Sequence, residues 1–106
     1  MTTYKHFTAT VTAVARDLKT ALGLLDSEDI PLQSLTLQAD PENAHPVFAG
    51  GAGVTTTNYC VRIPAPPQGE PGYPIKYEPA ARPVKLSEIY IVGTAGEELH
   101  VGGFAW

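Results

Sequence analysis

Cysteine is almost missing from this chain: Cys60 stands alone, which excludes an intrachain disulfide and a metal centre built from cysteines. Positive charge is sparse as well. Seven Lys and Arg lie scattered against eleven Asp and Glu, for a net charge of −4, and no basic cluster is there to follow a phosphate backbone. Nucleic acid is therefore not an expected partner. No stretch approaches the roughly 20 apolar residues of a membrane-spanning helix, and Met1 to His6 lack the apolar run of a secretion signal. The expectation is no membrane partner, and synthesis in a cytoplasm with departure only as part of a particle.

What is present suits one small globular unit. Length allows a single core over residues 1–106, and an apolar content of 43% is enough to fold it. Phe7, Ala9 and Val11 alternate with Thr8, Thr10 and Thr12, the period of two that marks a half-buried strand. Asp17 stands where it caps a helix carrying Leu18, Leu22 and Leu25, so one short helix is expected near residues 17–25, weakened at Gly23. Leu35 to Ala39 alternates again. Asp40-Pro41-Glu42-Asn43 has the residues of a type I turn, and Pro46 to Gly50 then reads as the returning strand. Val54 to Ile63 is rich in threonine and β-branched residues and is expected to be extended.

Between Pro64 and Pro83 the composition changes, with seven prolines in twenty residues. Proline cannot donate to a sheet ladder, so residues 64–83 are expected to form an extended arm or loop, with one short strand at Ile75 to Tyr77. From Leu86 to Val101 the pattern predicts a hairpin: a strand over Leu86 to Val92, a turn at Gly93-Thr94-Ala95-Gly96, and a return through Leu99 and Val101 with His100 on the opposite face. Short strands, Gly/Pro turns and one short helix make the expected fold all-β, a small antiparallel β-sandwich or jelly-roll-like barrel.

Chemistry is harder to find. His6, His45, His100, Cys60 and several serines could in principle supply a nucleophile and a base, but no serine sits in a glycine-flanked elbow and no spacing gathers them. Cys60 reads as a buried structural residue. Glu98 and His100 share a strand face that is expected to be solvated, and adjacent Glu97 and Glu98 point apart, so neither metal nor paired-carboxylate chemistry is expected. Gly50-Gly51-Ala52-Gly53 lacks the lysine of a phosphate loop. The expectation is no catalytic residue, no metal and no cofactor.

Leu37 to Asn43, Val47 to Gly51, Val54 to Asn58 and Leu86 to Gly96, taken in order, resemble the small β-sandwich virion proteins of tailed bacteriophages. The resemblance spans about residues 35–101, and the proline-rich segment departs from it. It implies a non-enzymatic structural protein of the virion, a capsid decoration or cement protein bound across major capsid subunits as a homo-oligomer. Alternatives are a tail, neck or fibre component, and a carbohydrate-binding sandwich that displays Tyr59, Tyr73 or Tyr77. The residues expected to meet a partner are Pro66, Pro67, Pro71, Tyr73, Pro74 and Tyr77 of the arm, with Phe104 and Trp106, whose indole needs a pocket of its own domain or of a neighbour.

Overall fold

The computed structural model describes residues 4–25, 27, 29, 31–67, 70, 72, 74–77 and 84–105, with the backbone alone at 4–6, 77, 104 and 105. Pro71, Tyr73 and Trp106 lie outside the described residues. Strand β1 (Tyr4–Thr10) keeps the expected alternation, and Ala9 and Val11 are fully buried. After β2 (Arg16–Asp17) comes a single helical turn, α1 (Leu18–Ala21). Asp17 caps it by accepting from the Thr20 amide at 3.1 Å and the Thr20 hydroxyl at 2.8 Å, while Leu18 turns into the core. The helix stops short of Leu25 because Gly23 adopts the left-handed conformation (φ +68°) and leads the chain out, leaving Leu25 exposed.

Strand β3 (Leu32–Ala39) buries Leu32, Leu35, Leu37 and Ala39. Strict alternation would put Leu32 and Leu35 on opposite faces. A register shift between Leu32 and Ser34 turns both inward, the effect of a bulge. The remaining strands are β4 (Val47–Gly50), β5 (Val61–Ile63), β6 (Ile75–Tyr77), β7 (Tyr90–Gly93) and β8 (Glu98–Ala105).

Two four-stranded antiparallel sheets result, in the orders β1-β8-β3-β6 and β2-β7-β4-β5. Strand one pairs with eight, two with seven, three with six and four with five. The chain is a long ribbon doubled back at the β4–β5 loop and rolled into two layers, which is jelly-roll order. The expected all-β sandwich is therefore observed, and no helix among the described residues is long and apolar enough to cross a membrane.

That topology overturns the hairpin read over Leu86 to Val101. Leu86–Glu88 is a 3₁₀ turn, and β7 and β8 lie in different sheets. The Gly93 to Gly96 turn exists, with Gly96 at φ +93°, but it spans the layers. The Gly93 amide donates to the Thr12 carbonyl at 3.0 Å and the Gly96 amide to the Val11 carbonyl at 3.1 Å. The Asp40 to Asn43 turn behaves likewise: it forms, with the Asn43 amide on the Asp40 carbonyl at 3.0 Å, and carries β3 into β4 of the other sheet. Alternation records which side chains meet the core; it is blind to which strand lies alongside. Both layers face the same core, so a hairpin and a crossover leave the same pattern.

The expected strand over Val54 to Ile63 shrinks to Val61–Ile63. Thr55 folds the preceding residues into a tight turn, its hydroxyl accepting from the Asn58 amide at 2.9 Å and its own amide donating to the Asn58 carbonyl at 2.8 Å. This loop covers the outer face of the second sheet. Val54 and Val92 pack with Phe48, and Tyr59 tilts against the Phe48 ring at 4.8 Å between centroids. The short strand expected inside the proline-rich segment is β6. Gly72 is buried there against β3: the Gln38 side-chain amide donates to its carbonyl at 2.6 Å, and a Cβ at this position would lie 2.8 Å from the Ala39 carbonyl oxygen.

Candidate functional site

Polar chemistry gathers at the end of the sandwich where the β3–β4 and β7–β8 crossovers meet. Asn43 is the one buried polar side chain among the described residues, and it clamps the start of β8: its Oδ1 accepts from the Glu98 amide at 2.9 Å and its Nδ2 donates to the Glu98 carbonyl at 2.7 Å. Glu97, on the other crossover, reaches back. Its carboxylate accepts from the Ala44 amide at 3.1 Å and meets His45 Nδ1 at 3.0 Å. Each crossover thus satisfies backbone groups that the other would leave open.

Beside this clamp, on the outer face of the first sheet, His100 stands between Asp40 and Thr8. His100 Nε2 lies 2.8 Å from Asp40 Oδ2, and His100 Nδ1 lies 3.2 Å from Thr8 Oγ1. Asp40 also accepts from the Glu42 amide at 2.8 Å. That bond first, and the His100 contact second, hold the Asp40 carboxyl below its ordinary 3.8. Hydroxyl, imidazole and carboxylate in a row have the connectivity of an acyl-transfer triad. What they have around them differs, because none of the three lines either of two clefts found among the described residues. On the open face of a sheet the row joins β1, β8 and the β3–β4 crossover.

The sequence placed His100 on an outward face, which is where it is. It put His100 beside Glu98 on a solvated strand face and read Asp40 only as a turn residue. The true partner depends on β3 lying next to β8, with Gln38 opposite His100 in the register, and no local spacing carries that. Among the described residues no three of His, Cys, Asp and Glu come close enough to share a metal ion.

At the other end, where β4 finishes and β7 begins, the sheets part into a cleft of about 270 Å³. Leu35, Leu37, Ala49, Val61, Ile75 and Ile89 wall it, and Lys76, Glu88 and Cys60 stand among its lining residues. Cys60 is exposed, against the expectation of a buried structural residue. Its amide is held by the Ala49 carbonyl at 3.0 Å just past the Thr55 turn, which places it at the rim of the core.

The residues expected to meet a partner are spread out. Pro66 is half-buried, and Pro67 and Pro74 are exposed. Tyr77 belongs to edge strand β6, opposite Leu35. Phe104 lies in β8, between Tyr4 of β1 and Ser34 of β3, so it is part of the sheet and not a free tail. Tyr59 leans on Phe48 and remains 43% exposed.

The sheet edges themselves are unequal. Among the described residues, edges β2, β5 and β6 have two, three and three residues, while edge β1 has seven. The Val11 amide donates to the Glu97 carbonyl at 2.8 Å, which sets the phase of the β1–β8 ladder. Bonds to β8 therefore fall on Phe7 and Ala9, and the backbone groups of His6 and Thr8 point to the open side. The Thr10 carbonyl, also on that side, takes the Arg16 guanidinium at 3.4 Å.

No family model and no curated protein match this chain. A solved structure from Bacillus endospore appendages, described as a novel family of disulfide-linked pili, is similar over 99% of this chain and 86% of its own. Identity is 16% and the TM-score 0.49, and a likeness at that level carries no argument about function.

Proposed function

We propose that this chain is a non-enzymatic structural subunit, held in place by its neighbours in an assembly, and that the open edge of β1 is its joining surface. The observation that supports this is the inequality of the edges. Edges of two or three residues are too short to template another strand, which is one way proteins protect them. β1, with seven residues and two inward apolar positions, Phe7 and Ala9, is long enough. A strand laid along it would meet the backbone groups of His6 and Thr8, the mode of strand addition in which main-chain bonds give affinity. The Thr8–His100–Asp40 row then acts as a clip that keeps β1 in register.

The finer reading comes from the sequence resemblance: a decoration or cement protein of a tailed phage, in many copies, bound across major capsid subunits of the virion. Eight-stranded jelly rolls serve in capsid and lectin domains alike, so the fold is compatible with that role without selecting it. A position in a tail, neck or fibre would use the same edge.

His6→Pro tests the joining surface. Proline there removes an outward N–H and leaves the bonds to β8 in place, so the variant is expected to fold as the wild type does by circular dichroism. Self-association, or binding to expanded capsid shells, is expected to fall at least tenfold in sedimentation. Undiminished assembly in the folded variant would show that β1 is not the joint, and a wild type that neither self-associates nor binds shells would remove the reading altogether.

A further inference from the structure

A second copy of this chain has few strands to offer β1. Among the described residues, edges β2, β5 and β6 have two, three and three residues, so pairing β1 with any of them leaves most of its outward backbone groups unmet. Only another β1 matches its seven. Two copies of one strand laid antiparallel are related by a two-fold axis, and a contact of that kind closes on itself instead of continuing into a fibre.

The outward groups also fix the register. The ladder to β8 falls on alternate residues, so the backbone groups of Tyr4, His6, Thr8 and Thr10 face the open side. The Thr10 carbonyl is already taken by the Arg16 guanidinium at 3.4 Å. An axis at Phe7 would set Thr10 against Tyr4, and an axis at Thr8 would set it against His6; either requires the arginine to leave. An axis at His6 sets His6 against His6 and Tyr4 against Thr8, uses all three remaining residues and keeps Arg16 in place. Phe7 adds a second observation, since its ring packs on the core but is only partly buried, and no described strand lies beyond β1 to cover it.

Taking β1 as the joint, we propose that its partner is β1 of a second copy, paired antiparallel about a two-fold axis at His6, so that two four-stranded sheets run together into one. The long edge is consumed within the pair. A larger assembly is then built from dimers, through other surfaces.

The test is cysteine cross-linking of the full chain in a Cys60→Ser background, which removes the exposed native thiol. The Cα atoms of a hydrogen-bonded antiparallel pair stand about 5.5 Å apart, inside the range of about 4.4 to 6.8 Å that a disulfide spans. His6→Cys should therefore give a covalent dimer on mild oxidation. Val14→Cys, at a residue that is 73% exposed on the β1–β2 corner, sets the background of chance collision, and His6→Cys should exceed it at least tenfold. Thr8→Cys alone should stay near that background, because the two Thr8 positions are about 14 Å apart along the strands. Mixed with Tyr4→Cys, it should cross-link to that variant, and this mixture carries the test if His6→Cys does not fold. In sedimentation equilibrium the wild type should level off at the mass of two chains.

Cross-linking at His6 and in the mixture no faster than at Val14 would overturn the pairing. So would cross-linking through Phe7→Cys or Thr8→Cys in preference to His6→Cys, or a mass that keeps rising past two chains. A wild type that stays a single chain, yet loses its binding to capsid shells in His6→Pro, would keep β1 as the joint and remove the second copy as its partner. If His6→Pro changes neither association nor binding, the joint itself lies elsewhere and the pairing falls with it.

Discussion

The two ends of this sandwich are finished differently. At one, the crossovers are sewn together by Asn43, Glu97 and the Asp40–His100–Thr8 row, across separations of 52 to 92 residues. At the other, the sheets separate over aliphatic walls and the cleft remains open. Topology creates polar need at both ends. A crossover carries backbone groups past the end of a sheet, where no strand pairs with them, so a side chain must. The cleft end has such backbone as well, since β2 crosses to β3 and β6 to β7 there and Asp29 holds the Ser87 amide and hydroxyl; its difference is that the walls stand apart, at the cost of exposed apolar surface.

The sharpest way to break the contrast is to remove equivalent bulk from both ends of the core. Leu99→Ala, at a fully buried position next to the clamp, is expected to cost about 3 to 5 kcal/mol in urea unfolding. Ile75→Ala at the cleft is expected to cost about half that, since its side chain is already partly open to water. Equal losses would mean that the cleft end is packed as tightly as the crossover end.

Asn43→Ala comes next. It leaves the Glu98 amide without its partner and the Glu98 carbonyl with the Asp40 amide alone, at 3.3 Å, and a loss of about 2 kcal/mol is expected by the same measurement. A neutral effect would make the clamp decorative and leave the crossovers to hold by packing.

The smallest effect concerns acid. The Asp40 carboxyl is held below its ordinary 3.8 by the Glu42 amide and by His100, so its ionised form is favoured in the folded chain. The stability it adds is complete above that ordinary value and is lost as the pH falls through the lower, folded one. Asp40→Asn should therefore unfold earlier than wild type at neutral pH, with the gap closing below about pH 4. A gap of constant size down to pH 2 would detach Asp40 from this linkage.

Much of the layering could be read from single residues. Leu35, Leu37, Leu99 and Val101 face the core as their alternation says, His100 faces out, and Asp17 caps a helix. Four features escaped, three of them because they depend on neighbours distant along the chain. The split of β7 from β8 is invisible because both strands turn apolar faces to one core. The inward turn of Leu32 depends on a bulge opposite β8. Cys60 has the composition of a core residue and the address of a loop end, and the address decided its exposure. Asp40 looked complete as a turn residue, which hid its second role beside His100.

The doubled-ribbon order also dictates how the chain must search for its structure. Strands β4 and β5 meet first along the sequence, and every further pair encloses the one before it, until β1 finds β8 with nearly the whole chain between them. Closing ever larger loops before their contacts can repay the lost entropy makes such a topology slow, in the range of about milliseconds to seconds for folds of this kind. β1 thus closes the largest of these loops and is also the longest edge among the described residues, and wherever it is not docked, β8 has its own flank open to another strand.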